Sequence, residues 1–299
     1  MEAERNILVT GYSGQVGFEL VRSLQGLGRI KAPLRAEFDL SNPDSIRTYL
    51  RTHCPTLIVN PAAYTAVDKA EEDRAGAFAI NGEALAVLAE EAKRLGAAVI
   101  HYSTDYVFDG TATNAYREEH ETSPVNVYGA SKLAGEQALR DAGVPHLIFR
   151  TSWVYSNRGA NFLSTMLKLG REKAELRIVS DQVGAPTWSR TIAELTAHAL
   201  AQGATWSNFS DWIRERSGVY NLTASGEASW ADFAEAIFEF SGLEQRPRVE
   251  RISTAEFPRP APRPLNSRMC GDKLKATFGL RAPDWRVALG YCLEERRAG

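Results

Sequence analysis

The sequence predicts an α/β protein: an open, doubly wound parallel sheet followed by a smaller C-terminal α/β lobe. Three observations lead there. Short apolar segments alternate with helical patterns through the first half, the rhythm of parallel strands joined by right-handed crossovers. Those segments are apolar throughout, as in a sheet covered on both faces. Beyond Thr151 the rhythm loosens into longer helices separated by few short strands.

Taken in order, residues 6–10 (NILVT) form the first strand. Glycines follow, then a helical pattern over 15–27 with Val16, Leu20, Leu24 and Leu27 on one face. Residues 30–34 read as a second strand interrupted by Pro33. Residues 43–51 read as a helix with Asn42 as N-cap and Pro43 in the first turn. A third strand covers 57–60. Residues 73–95, rich in Ala, Leu and Glu, read as one long helix closed by Gly96. Glu71, Glu72 and Asp73 would place acidic charge at its start. A strand over 97–103, a helix over 128–142 ended by Gly143, and a strand over 146–151 follow. Further helices are expected over 161–173, 190–202, 230–242 and 284–297, with short strands at 177–179 and 219–222. Residues 257–264 are a proline-rich loop. Residues 204–216, with Trp206 and Trp212, read as a surface insertion in the second lobe.

At 299 residues, a core can form without disulfides or a structural metal. The charge balance of 35 basic against 37 acidic residues argues against a nucleic-acid or membrane-surface binder. Cys54, Cys270 and Cys292 are widely spaced and fit a reducing compartment. The N-terminus lacks a signal-peptide pattern and no apolar run is long enough to span a membrane, so a cytoplasmic protein is expected. The five histidines show no metal-binding spacing, and His101 and His146 read as packed neutral imidazoles in strands.

Four motifs carry chemistry. Gly11-Tyr12-Ser13-Gly14-Gln15-Val16-Gly17 follows a strand and opens a helix, which permits a tight turn and close backbone approach to a pyrophosphate. The same spacing also serves as a purely structural turn. After strand two, Arg35 suits the 2′-phosphate of NADP or is a solvated surface arginine, and Asp39-Leu40 is placed to approach the adenine. Tyr128 and Lys132 lie at i and i+4, on one helical face, where an ammonium would lower the phenol pKa. Ser103-Thr104-Asp105 ends a strand, where a hydroxyl can donate to a substrate carbonyl or simply cap a turn.

The order of glycine turn, strand-end hydroxyl and Tyr/Lys pair resembles the extended short-chain dehydrogenase/reductases, as does Asn60-Pro61-Ala62-Ala63. The segments 60–71, 101–108, 123–129, 149–155, 181–187 and 263–268 are similar to the dTDP-4-dehydrorhamnose reductase family and run in order along nearly the whole chain. The resemblance implies a Rossmann-type NAD(P)-binding domain over 1–155, with a return of the chain after 155 allowed. It also implies a mainly substrate-binding lobe over 156–299. It implies NADPH or NADH as cofactor and reduction of the 4-keto group of dTDP-4-dehydro-6-deoxy-L-mannose. That is the last step of dTDP-rhamnose biosynthesis, which supplies lipopolysaccharide or cell-wall polysaccharide.

By position, the resemblance makes Tyr128 the proton donor, Lys132 the ribose-binding residue that lowers its pKa, and Thr104 the group polarising the keto oxygen. Asp105 would orient the sugar and Trp153 would wall its pocket, although a tryptophan there also suits a core. Ser13, Gly14, Gln15 and Val16 would line the pyrophosphate. Ala62, Ala63, Tyr64, Thr65 and Tyr102 would lie along the ribose and nicotinamide. Arg263 and Arg268 would suit phosphates. Some members bind magnesium through carboxylates at a dimer contact. Glu19 matches one such position, but Arg190 falls at another, which argues against a metal-bridged dimer. A dTDP-sugar is the expected partner, with the chain a monomer or homodimer. Two alternatives stand beside this reading: a reductase of another dTDP-4-keto-6-deoxysugar, and a non-catalytic subunit resembling the regulatory partner of methionine adenosyltransferase.

Overall fold

The structure is a computed structural model and describes residues 5–206 and 208–298. Six parallel strands form the main sheet, in the spatial order Gly218–Asn221, His146–Thr151, Ala98–Thr104, Leu57–Asn60, Asn6–Val9, Arg29–Lys31. From the first strand the chain moves out to Arg29–Lys31, then crosses to Leu57–Asn60 on the other side. That reversal opens a crevice beyond the carboxyl ends of the two inner strands, the usual ligand site of an open α/β sheet.

Both faces of the sheet are buried, which is why its strands are apolar throughout. Ile7, Val9, Val59, Ile100 and Phe149 pack on one face with Leu20 and Leu24. Leu8, Ile58, Val99 and Ile148 pack on the other with Ile46, Leu50 and Leu88. A separate core forms in the C-terminal part around Tyr155, Leu163, Met166, Trp188, Phe233, Ile237 and Leu289. Beyond residue 155 the chain returns to the main sheet: Gly218–Asn221 adds an edge strand, and helix Ser189–Ala201 buries Ile192 and Leu200 beside Leu20.

Several expected elements differ in detail. The second strand is Arg29–Lys31, stopping before Pro33, and the Glu37 carboxylate accepts from the Leu34 main-chain N–H at 2.9 Å to form a turn. The long helix expected over 73–95 runs from Arg74 to Leu95 with a π-helical stretch at Ala79–Glu83, and a separate short helix, Val67–Glu72, precedes it. Asp73 caps Gly76 as a new start, and Asn81 is drawn into bonds with Tyr64 and Ser131. Glu71 and Glu72 therefore end a helix and do not begin one. Residues 204–216 are not a surface insertion in the second lobe. Helix Phe209–Glu215 drives Trp212, 1% exposed, into the core of the main sheet. Ser207 lies outside the described residues, as do Met1–Glu4 and Gly299.

Candidate active site

The glycine turn leaves Thr10 at the end of the first strand. Gly11 has φ +55°, and a Cβ there would sit 2.9 Å from the Ala62 methyl. A Cβ on Gly17 would run into the Gly11 carbonyl oxygen. Gly14 occupies the N-cap of helix Gln15–Ser23 and offers no capping side chain. The first-turn N–H groups thus stand at the positive end of the helix with close backbone access, the arrangement that holds a pyrophosphate. The residues present fit a dinucleotide.

Tyr128 and Lys132 belong to helix Val127–Ala142. Asn126 caps it by accepting from the Gly129 N–H at 2.8 Å, and Glu71 accepts from the Val127 N–H at 2.9 Å. These two contacts fix where the helix begins, and so where Tyr128 points. Lys132 is 2% exposed. Its Nζ donates to the Tyr102 carbonyl at 2.6 Å and lies 3.2 Å from His101 Nε2.

The pKa pattern departs from the sequence expectation. The Tyr128 phenol is pushed above its ordinary value, chiefly by burial and further by the Asp105 charge, while the Thr104 hydroxyl offsets part of the rise. The shared helical face brings Lys132 to the same cleft, but the groups that shift the phenol are its burial, Asp105 and Thr104. Burial also lowers Lys132 to about 7, opposed by Glu136. Glu136 is itself bound by Arg150 at 2.9 and 2.7 Å, both side chains buried, so Lys132 has no carboxylate of its own.

Thr104 ends strand Ala98–Thr104. Its hydroxyl donates to Asp105 Oδ1 at 2.9 Å and accepts from the Tyr106 N–H at 3.2 Å, so it caps a turn while facing the cleft. Burial raises the Asp105 carboxyl to about 6. Trp153 has φ +47°, a conformation rare for a bulky residue. Its indole stacks on Trp230, centroids 3.7 Å apart and planes within 9°. A Cβ on Gly184 would meet the Trp153 ring at 2.8 Å, so the glycine of the 181–187 segment makes room for the indole.

One cleft of about 690 Å³ joins these parts. Gly11, Ser13, Gly14, Gln15, Val16 and Gly17 line one end. Ala62, Ala63, Thr65 and Tyr102 line the middle. Thr104, Asp105, Tyr128, Lys132 and Trp153 line the other end. Tyr12, Arg35, Asp39, Leu40 and Tyr64, expected along the cofactor, are not in the lining. Arg35 is exposed and paired with Asp39 at 3.6 Å. Leu40 is buried with Phe38 and Ile46 because the early end of strand two turns it into the core. Tyr64 is held by its main chain, which donates to and accepts from Asn81 at 2.8 and 3.0 Å. Arg263 and Arg268 are likewise engaged elsewhere, Arg263 with Asp68 at 2.9 Å and Arg268 with Glu227 at 3.0 Å.

Sequence reading missed Arg158, Asn161, Phe162 and Trp230 in the lining. Gln15 Oε1 accepts from Ser156 Oγ at 3.0 Å and Asn161 Nδ2 at 3.1 Å, tying the glycine turn to the loop from the second lobe. Asn161 and Ser229 are N-caps with reciprocal capping boxes, so Phe162 and Trp230 are first-turn aromatics. The capping residues were legible, but nothing local showed that both helix starts face the cleft.

The residues around Glu19 do not fit a metal. Arg190 Nε lies 3.1 Å from Glu19, and its Nη2 lies 2.8 Å from Glu295, placing a fixed cation between the carboxylates. Among the described residues no group of three or more His, Cys, Asp or Glu could hold a metal ion.

A family model described as the RmlD substrate binding domain matches residues 5–298. The chain belongs to this family. A dTDP-4-dehydrorhamnose reductase of Burkholderia thailandensis is 48% identical over 97% of this chain and 98% of its own. An Escherichia coli K12 protein of the same name is 42% identical over 97% of each chain. Among solved structures, the Bacillus anthracis dTDP-4-dehydrorhamnose reductase in complex with NADP is 32% identical. It superposes with a TM-score of 0.88 over 98% of this chain and 99% of its own. Within the matched range, the segment 101–108 supplies the Thr104 strand end and the segment 181–187 the glycine beneath Trp153.

Proposed function

We propose that this chain is an NAD(P)H-dependent reductase that converts the 4-keto group of dTDP-4-dehydro-6-deoxy-L-mannose to the alcohol of dTDP-L-rhamnose. The observation that carries the reading is the meeting, in one cleft, of the uncapped glycine turn, the Thr104 hydroxyl and the Tyr128/Lys132 pair. The relatives' names supply the sugar and the cofactor class.

In this reading Ser13 to Val16 hold the pyrophosphate, Ala62, Ala63, Thr65 and Tyr102 flank the ribose side, and Lys132 binds the nicotinamide ribose. The bound nicotinamide supplies the hydride that reduces sugar C4. Thr104 turns its hydroxyl from Asp105 to the keto oxygen and polarises it. Tyr128 keeps its proton at neutral pH, because burial and Asp105 raise its pKa, which suits a donor to a nascent alkoxide. The Lys132 cation favours the phenolate left behind. Trp153, braced by Trp230, walls the sugar. Residues 5–155 with the returning segments Ser189–Ala201, Phe209–Glu215 and Gly218–Asn221 form the cofactor side, and the part of the chain built on the separate C-terminal core grips the dTDP-sugar. Among the described residues no helix is long and apolar enough to cross a membrane.

The test is a coupled assay from dTDP-glucose with a 4,6-dehydratase and a 3,5-epimerase, following oxidation of matched NADPH and NADH. Turnover to dTDP-rhamnose is expected. Turnover only with a differently configured dTDP-4-ketosugar would move the assignment to that sugar, and none from folded, nucleotide-binding protein would contradict it.

A further inference from the structure

Lys132 is a buried cation whose nearest carboxylate, Glu136, is taken by Arg150. Its ammonium therefore depends on neutral acceptors. The protein offers two: the Tyr102 carbonyl at 2.6 Å and the His101 imidazole at 3.2 Å. Behind the imidazole, Asn60 Nδ2 lies 3.3 Å from His101 Nδ1, and Asn60 Oδ1 accepts from the Thr10 hydroxyl at 2.5 Å. Thr10 in turn accepts from the Ala62 N–H at 3.3 Å. The line runs across three adjacent parallel strands, with Asn60 and His101 in register. Thr10, Asn60 and His101 are each no more than 1% exposed. Such a row of polar groups is costly to bury unless each is satisfied.

We propose that His101 is a positioning residue for Lys132, and that Asn60 and Thr10 hold its imidazole in the tautomer that presents an acceptor to the ammonium. An ammonium has three donors and no acceptor, so it requires a lone pair on Nε2. That places the His101 proton on Nδ1 and requires the Asn60 amide to be turned end for end from the arrangement just described, so that its oxygen accepts from Nδ1 and its NH₂ donates to the Thr10 hydroxyl oxygen. Burial and the Lys132 charge both keep the imidazole neutral, which suits this role. The other charged and titratable groups around Lys132 are Glu136 and Arg150, matched to each other, and Tyr102, Tyr128 and Asp105. The chain also links the catalytic lysine to Thr10 and Ala62, which border the glycine turn.

The inference rests on Lys132 being the catalytic lysine of the proposed reductase. The experiment compares His101→Phe, His101→Gln and Lys132→Met for kcat, KM and the pH profile. His101→Phe is expected to lower kcat by roughly 10- to 100-fold with KM for reduced nucleotide little changed, the range for a displaced catalytic group. Without its acceptor the ammonium loses its proton more easily, so the alkaline limb of the kcat profile should move down by about one pH unit. His101→Gln, which restores an acceptor, should return the limb most of the way. A folded His101→Phe with an unshifted profile, or equal loss in Phe and Gln without a shift, would overturn the proposal. Imidazole ¹⁵N NMR of the wild-type protein gives a second reading that needs no variant. A neutral ring protonated on Nδ1 at pH 6 to 7 is expected, and an imidazolium there would contradict it. Full activity in Lys132→Met would instead overturn the reading on which this one stands.

Discussion

The Lys132 ammonium lies 2.6 Å from the main-chain carbonyl of Tyr102, on an interior strand of the sheet, and makes no hydrogen bond to Tyr128 one helical turn away. The lysine is thus fixed by the sheet and the tyrosine by the helix start, where Asn126 and Glu71 hold the first turn. The two side chains reach the same cleft by separate means.

Tyr128→Phe keeps the ring but removes the proton. It should lower kcat by at least about 100-fold, the lower end for loss of a positioned proton donor. The melting temperature and reduced-nucleotide affinity should stay near wild type. Steady-state rates, a thermal melt and a fluorescence titration check this, and near-wild-type turnover in folded protein would refute the assignment.

Gly17→Ala places a methyl against the Gly11 carbonyl oxygen. Both partners are backbone and neither can step aside, so the turn must open. The cost should be about 1–3 kcal/mol of stability, as for overpacking, with loss of nucleotide binding. Denaturant unfolding and a nucleotide titration read the two effects separately.

Asp105 gives a pH signature. Burial raises its carboxyl from 3.8 to about 6 in the folded protein. Between those values the folded state holds a proton that the unfolded state has released. Its contribution is therefore fully present below about pH 3.8 and is lost as pH rises through about 6. Asp105→Asn should flatten that part of the stability profile and gain stability relative to wild type above pH 6, while impairing turnover. A profile identical to wild type would show that the folded carboxyl is not shifted.

Arg190 occupies the space between Glu19 and Glu295. Activity and melting temperature should be indifferent to EDTA or added magnesium. Arg190→Leu should cost about 1–2 kcal/mol by leaving the buried Glu19 unpaired, a value reduced for partial solvent screening of the arginine. A loss of activity on chelation would contradict the pairing seen here.

Much of this was legible in the sequence because the governing rules are local. The glycine turn needs glycine wherever its backbone closes on itself, and Tyr128 and Lys132 share a face by helical period alone. The Asn42 cap and the αL residues Gly96 and Gly143 mark helix ends as expected. What failed depended on distant partners. The π-helical stretch at Ala79–Glu83, where Asn81 reaches Tyr64 and Ser131, is something no helical period reveals. Trp212 looks like surface until the chain returns to the main sheet. The stacking of Trp153 on Trp230 joins residues 77 positions apart in sequence. The rise in the Tyr128 pKa likewise comes from the walls of the cleft, which helical spacing cannot show.

The most direct test of the central claim is isotope transfer. Reduced nucleotide deuterated at nicotinamide C4 would be supplied with dTDP-4-dehydro-6-deoxy-L-mannose, and the product examined by NMR. The account predicts dTDP-L-rhamnose carrying deuterium at sugar C4, with the label absent from solvent and from other ring positions. A folded, nucleotide-binding protein that leaves the keto sugar unreduced, or delivers the label elsewhere, would contradict it.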